Sequence, residues 1–392
     1  MTAASAVEFS EESVLEEARQ TAGLSHFGND GFREGLRVLL ETYDNTAGFN
    51  EKGRRRNRRR VVQLLATRLR IEAAFEKHPE IRERQIRRPV YLTGLPRTGT
   101  SALFNLLGKD PAARPLLLWE GIFPDPLDDL EPGQTDPRLE ALRAHYERGR
   151  ENNPEFTKIH FTAADQPEEC VMLLAHTFCD VQMGIEPLME PYAEWFQKQD
   201  LRTAYAYYLD LLKMLDWQRP GDRWLLKSPA HLWALDVLVE LFPEPCILLT
   251  HRDPVEIIPS YCSMMAALMK ARESLNPKEL GPTVLEYLAR SLERGLEARD
   301  RCDPARFLDV SYRQFVDNPM AVVERIYAHF ELDLPREAEA LMRDHVSAHP
   351  QGQHGGHAYD LAEFGLTPQA VKTRLADYID RFELATDDTV ST

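Results

Sequence analysis

Arg88-Pro-Val-Tyr-Leu-Thr-Gly-Leu-Pro-Arg-Thr-Gly-Thr-Ser101 is the stretch on which the fold turns. Residues 90–93 form an apolar run of strand length, and Gly94 ends it. Gly94 and Gly99 enclose four residues, the spacing of a phosphate loop, which lets the backbone curl until successive N–H groups aim at one anion. Thr100 and Ser101 then open a helix through 102–107, whose N-terminal dipole adds to the same site. A strand, a phosphate cradle and a helix are expected in that order. The plain alternative is a tight strand-to-helix turn that binds nothing.

What the loop lacks narrows the anion. A nucleotide triphosphatase needs Lys directly after the second glycine to reach the β- and γ-phosphates, with Ser or Thr next to carry magnesium. That place holds Thr100. The loop's only cation is Arg97, inside the turn, so a diphosphate-like end can be gripped while the triphosphate-plus-metal arrangement stays incomplete. Residues Gly94-Leu-Pro96-Arg97-Thr98-Gly99-Thr100-Ser101 resemble the 5′-phosphosulfate loop of sulfotransferases that use 3′-phosphoadenosine-5′-phosphosulfate (PAPS). The resemblance implies an α/β fold, a P-loop-like three-layer sandwich with a central parallel sheet, carrying here a helical N-terminal extension over 1–86 and a helical acceptor-side insertion at about 138–220.

Two further stretches repeat the pattern of an apolar strand that ends in anion-binding residues. Arg223-Trp-Leu-Leu-Lys-Ser-Pro-Ala-His231 ends in Lys227, Ser228 and His231, with a helix expected from about Leu232. In open parallel sheets, groups at the carboxyl ends of strands face the ligand. In the family a Lys and a nearby His lie beside the transferring sulfuryl group, although that His often follows more closely than His231 follows Lys227. Cys246-Ile-Leu-Leu-Thr-His-Arg-Asp-Pro is the other stretch, with Asp253 as an N-cap and Pro254 in the first helical turn. Arg252 and Ser260, eight residues apart, match the family's 3′-phosphate site. Tyr312, ahead of Asn318-Pro319, matches the tyrosine that approaches the nucleotide. The resemblance runs from about residue 88 to 330, with a continuation to 364 expected, and is closest to a bacterial branch with a helical N-terminal extension.

Composition sets the bounds. With 392 residues the chain can bury a large core as one domain or two, and a net charge of −16 argues against nucleic acid as a general partner. No apolar run is long enough to span a bilayer, and Glu8, Glu11 and Glu12 stand where a signal peptide is basic and then apolar, so a cytoplasmic location is expected. The five cysteines, with no Cys-x-x-Cys, suggest neither disulfides nor a zinc ribbon. Residues 1–86 read as helices forming a cap or a homodimerisation surface. Six arginines in 54–60 fit either an anionic partner or, preferably in an acidic chain, a solvated face paired with carboxylates. Residues 115–120 suggest a second short strand. Four histidines in the tail, His345, His349, His354 and His357, lie among glycines with no metal-binding spacing, so no metal is expected.

Sulfuryl transfer, like phosphoryl transfer, relies on positioning and on cations at the developing charge. Arg97 and Lys227 are the candidates for those cations. The acceptor hydroxyl must lose a proton to His231 or to a carboxylate in Asp165-Gln-Pro-Glu-Glu-Cys170, where Asp165 and Pro167 read as a helix start and Glu169 borders apolar residues, with Glu168 behind it. Aromatic residues between 156 and 208, with Met264, Met265 and Met269, point to an apolar small molecule or lipid carrying a hydroxyl as acceptor, or to an ordinary core. A small-molecule kinase with a degenerate loop, using Asp309 for magnesium, and a nucleotide-binding protein without catalysis are the alternatives.

Overall fold

The computed structural model of the chain describes residues 7–46, 48–128, 130, 134–152, 163–180, 188–269, 276–349 and 360–384. They fall into two compact units. One comprises Met1–Ile86, Leu116–Pro220 and Leu268–Leu275, the other Arg87–Pro115, Gly221–Ala267 and Asn276–Thr392.

The second unit is built on five parallel strands, β1 (Val90–Gly94), β2 (Ala113–Pro115), β3 (Arg223–Lys227), β4 (Cys246–His251) and β5 (Phe307–Ser311), in the order β2-β3-β1-β4-β5. Strand β1 is central, with Val90 against Leu225 on one side and Cys246 on the other. Every residue of β1 and β4 is buried, which explains why both read as continuous apolar runs: a parallel sheet is covered on both faces. Val90, Leu92 and Leu248 face a cluster with Phe104, Leu107, Val323 and Ile326 from the helices Thr100–Leu107 and Pro319–His329. On the opposite face Tyr91 meets His231 and Phe242 edge-on. The chain leaves β1 toward β2 and β3 but builds β4 and β5 on its other side. Ligands of open α/β sheets lie beyond the carboxyl ends of the strands at such a reversal.

The first unit is helical and contains both the extension and the insertion. Glu11–Ala22, Arg33–Glu41 and the 27-residue helix Glu51–Lys77 form the N-terminal part, and Arg202–Gln218 is a 17-residue helix of the insertion. Arg68 joins the two parts: its fully buried guanidinium donates to the carbonyls of Phe27 (2.8 Å), Asn29 (3.3 Å) and His176 (3.2 Å) and lies over the Phe32 and Tyr207 rings. The arginine run divides in function. Arg54 pairs with Asp44, Arg55 with Glu51 and Arg58 with Glu17, while Arg54 and Arg58 also bond the carbonyls of Val7 and Glu8 and so strap the first helix down. Phe178, Tyr192, Phe196, Tyr205, Tyr207 and Tyr208 are buried core residues, whereas Phe156 and Phe161 lie outside the described residues.

Three local expectations are corrected. The second strand is Ala113–Pro115, and the apolar run after it enters a helix, Leu118–Ile122, closed by Glu120 accepting from the Leu117 N–H at 3.0 Å. No helix starts at Asp165. Pro167 instead bridges Leu117 in antiparallel fashion, the N–H of Glu168 bonds the Leu116 carbonyl at 2.9 Å, and the helix begins only at Val171. After β3 the chain makes a 3-10 helix, Pro229–Ala234, before the α-helix Leu235–Leu241, because Ser228 caps it by accepting from the Ala230 N–H and tightens the first turns.

Candidate active site

The loop after β1 is built on two glycines that tolerate no side chain. Gly94 has φ 140°, and a Cβ there would sit 2.5 Å from the Thr250 carbonyl of neighbouring β4. Gly99 has φ 87°, and a Cβ would strike the Tyr312 ring at 2.7 Å. Between them Thr98 is buried, donating to the Leu95 carbonyl at 2.7 Å and meeting the Thr250 hydroxyl at 2.6 Å. The hydroxyls of Thr98 and Thr250 thus pin the loop to the sheet from beneath. The helix Thr100–Leu107 opens directly behind it, so its first N–H groups have no intrahelical acceptor and face the loop's concave side.

Side chains from three strand ends close on this loop. Arg97 sits in the left-handed region at φ 67°, and its Nε donates to Ser260 Oγ at 3.1 Å. From the end of β3, Lys227, only 5% exposed, reaches Ser101 Oγ at 3.2 Å with its ammonium over the Phe104 ring. From the end of β4, Arg252 donates to the Arg97 carbonyl at 3.3 Å and to Glu256 at 2.8 Å, and its guanidinium lies 4.1 Å above the Tyr312 ring. The structure therefore brings Arg97, Ser101, Lys227, Arg252, Ser260 and Tyr312 together around one cradle. Three cations beside a glycine-bounded loop and a helix N-terminus form a site for a multiply charged anion.

The two proton-acceptor candidates fare differently. His231 is sealed in the core with its ring on Tyr91, and burial pushes its pKa down to about 3. It is neutral at pH 7 but a weak base. Glu169 belongs to the helical unit, where it is half-buried ahead of the Val171–Leu174 helix, with its N–H donating to Glu168 Oε1 at 2.8 Å. Asp309, the carboxylate a magnesium-dependent kinase would need, is already engaged. Arg299 binds both its oxygens at 2.6 Å and His251 Nε2 adds a bond at 2.8 Å. Burial alone would raise the Asp309 pKa, but these two partners outweigh it and hold the carboxyl well below its usual range. Among the described residues, no group of three or more His, Cys, Asp or Glu is placed to hold a metal ion; His354 and His357 lie outside them.

Residues that the sequence reading passed over support this site. Thr250 pins the loop, and His251 sits between Asp309 and the C-terminal Tyr378, its Nδ1 being 3.2 Å from the Tyr378 hydroxyl. Only position, at the end of a strand next to Arg252, signalled either of them.

Comparison with known proteins agrees with this geometry. A family model described as sulfotransferase family matches residues 89–336. The crystal structure of sulfotransferase STF1 from Mycobacterium tuberculosis H37Rv superposes with a TM-score of 0.84 at 34% identity, covering 95% of this chain and 100% of that one. Sulfotransferase STF9 from Mycobacterium avium gives a TM-score of 0.87 at 30% identity, covering 96% and 97%. The omega-hydroxy-beta-dihydromenaquinone-9 sulfotransferase Stf3 of Mycobacterium tuberculosis is 26% identical over 272 residues, 66% of this chain and 67% of that protein. With the cradle, its three cations and the parallel sheet beneath them, the chain belongs to the sulfotransferase family and is a sulfotransferase.

Proposed function

We propose that the enzyme moves the sulfuryl group of PAPS to a hydroxyl on an apolar small molecule or lipid. The observation that carries the donor is the convergence of Arg97, Lys227 and Arg252 on a phosphate loop whose lysine position holds Thr100. The donor carries a 5′-phosphosulfate and a 3′-phosphate. The turn set by Pro96 and the main-chain N–H groups of 97–101, with Ser101 and Lys227, suit the first; Arg252 and Ser260 suit the second, and Tyr312 suits the nucleoside. The same donor is a multiply charged nucleotide that does not cross a bilayer unaided, so the reading includes a cytoplasmic site of action. Pairing of two copies through the N-terminal helices is part of the same proposal.

In the reaction the acceptor oxygen attacks sulfur, a new O–S bond forms, and the S–O bond to the 5′-phosphate breaks. Its electron pair leaves on 3′,5′-adenosine bisphosphate. Charge grows on the bridging oxygen and on the equatorial sulfuryl oxygens, where Arg97 and Lys227 supply fixed positive charge. The hydroxyl proton passes to Glu169, since His231 is held too weakly basic by its burial. For the acceptor, the support is a relative over two thirds of its length, an omega-hydroxy-beta-dihydromenaquinone-9 sulfotransferase, because the aromatic residues and the methionines Met265 and Met269 are taken up by the core.

Thermal melting with 3′,5′-adenosine bisphosphate against ATP plus magnesium tests the donor. The bisphosphate alone is expected to raise the Tm. A shift only with ATP and magnesium would sink the proposal. Incubation with PAPS and a panel of long-chain alcohols, sterols, phenols and polysaccharides, followed by mass spectrometry, tests the acceptor; sulfation confined to polysaccharide would overturn it.

A further inference from the structure

The fold leaves two members of the arginine run unused. Arg54 and Arg58 lie on the side of the helix Glu51–Lys77 that the helix Glu11–Ala22 covers, bonding the Val7 carbonyl and the Ser13 hydroxyl, and buried Val61 and Leu65 continue that side. At about 100° per residue, Lys52, Arg56, Arg59 and Gln63 stand on the opposite side, and all four are exposed. Among the described residues, the side chains of Lys52, Arg56 and Arg59 make no ion pair or hydrogen bond. Arg55, beside them, is held by Glu51 one turn back.

Local forces oppose this placement. Cations in the first turns of a helix face the positive end of its dipole, and the acid in the first turn, Glu51, is already taken by Arg55. Lys52 and Arg56 are four residues apart, as are Arg55 and Arg59, so like charges stand on successive turns and repel. The chain has 63 acidic residues against 47 basic ones, yet among the described residues no carboxylate is set against Lys52, Arg56 or Arg59. A stripe of charge that the protein leaves uncompensated suits an anion outside it. Running straight for about 10 Å along a convex helix, it offers several points to a flat anionic surface and no enclosure to a small anion.

The acceptor decides which surface. A long-chain hydrophobic alcohol resides in a bilayer, and among the described residues no helix is long and apolar enough to cross one, so the acceptor has to be met from the membrane surface. We propose that Lys52, Arg56 and Arg59, with Arg55 beside them, form a docking face for the anionic headgroups of a lipid bilayer. The proposal rests on the lipid reading of the acceptor above. Each cation held near an anionic bilayer raises partitioning about fivefold, so the three unpaired ones together contribute on the order of 10²-fold.

The test is co-sedimentation with vesicles of phosphatidylcholine, with and without phosphatidylglycerol, paired with sulfation of a long-chain alcohol carried in the same vesicles or in neutral detergent micelles. The wild type should bind vesicles containing phosphatidylglycerol, release them as salt rises, and ignore phosphatidylcholine alone. Lys52→Gln/Arg56→Gln/Arg59→Gln relieves the repulsion along the helix, so it should melt no lower than wild type, yet bind about 10²-fold more weakly. It should sulfate the alcohol normally in micelles and poorly in anionic vesicles. Arg56→Lys/Arg59→Lys keeps the charge and should keep the binding. Equal vesicle binding by wild type and the triple variant, or none by either, overturns the inference, while sulfation in micelles leaves the acceptor reading standing. Tighter binding to single-stranded RNA than to anionic vesicles at the same salt overturns it in favour of nucleic acid. An alcohol left unsulfated in both presentations overturns the acceptor reading and the inference with it.

Discussion

Arg97 carries its charge on a backbone at φ 67°, a conformation that costs a non-glycine residue of order 1–3 kcal/mol and is kept where the surroundings over-determine it. Ser260 holds its Nε and Arg252 holds its carbonyl. A cation so fixed needs no reorganisation when charge develops, so Arg97→Ala is expected to lower kcat by about 10²–10³-fold with a smaller change in donor KM. Steady-state kinetics at saturating acceptor decide it, and an effect confined to KM would remove Arg97 from the chemistry. Glu169→Gln should cost on the order of 10²-fold in kcat. Single-turnover rates at saturating donor check it, and near-normal turnover in Glu169→Gln would return the proton to another group. The cations were legible in the sequence because each directly follows an apolar strand at a spacing that chemistry restricts. The partner of His251 was not: the Tyr378 hydroxyl lies 127 residues away in sequence, and nothing local marks the pairing.

At the scale of elements, the strand–loop–helix unit is specified redundantly. The buried run of β1, the positive φ at both glycines and the helix opening at Thr100 all demand the same turn. Gly99→Ala is expected to cost roughly 1–3 kcal/mol of stability, from the φ of 87° and the clash with Tyr312, and to weaken bisphosphate binding more than a surface substitution of equal cost. Urea denaturation with and without the bisphosphate checks both, and unchanged nucleotide affinity would detach the loop from the donor site. Legibility fell where one local signal had two uses. Asp165 and Pro167 are good helix-start residues, yet Pro167 lacks an N–H and suits an isolated bridge beside Leu117 equally well, a choice made by a partner some fifty residues away. The apolar run 116–119 reads as a strand in sequence because periodicity cannot separate a short buried strand from a short buried helix.

At the scale of the whole molecule, each unit carries a sealed neutral histidine. Burial lowers His176 of the helical unit to about 4, and burial lowers His231 of the sheet unit to about 3. Both would titrate near 6.5 in the unfolded chain. The folded value lies below the unfolded one, so their stability contribution is complete above pH 6.5 and is lost as pH falls toward 4. With two protons taken up on unfolding, the slope approaches about 2.7 kcal/mol per pH unit below 6. His251, shifted in the same direction by burial despite Asp309, adds to it. Chemical denaturation at pH 7, 6 and 5 measures this slope; half of it would show that one ring is hydrated in solution, and a flat profile that both are. The order of the sheet also has a consequence for synthesis. Gly94 pairs with Thr250, 156 positions later, and the other neighbour of β1 is β3 at 223–227. At ~5–20 residues per second a ribosome needs roughly 8–30 s to deliver the flanking strands. Until β3 and then β4 arrive, a strand that ends fully buried waits with its edges bare, so the yield of active enzyme in a foreign host should depend on translation speed and on chaperones that shield β1.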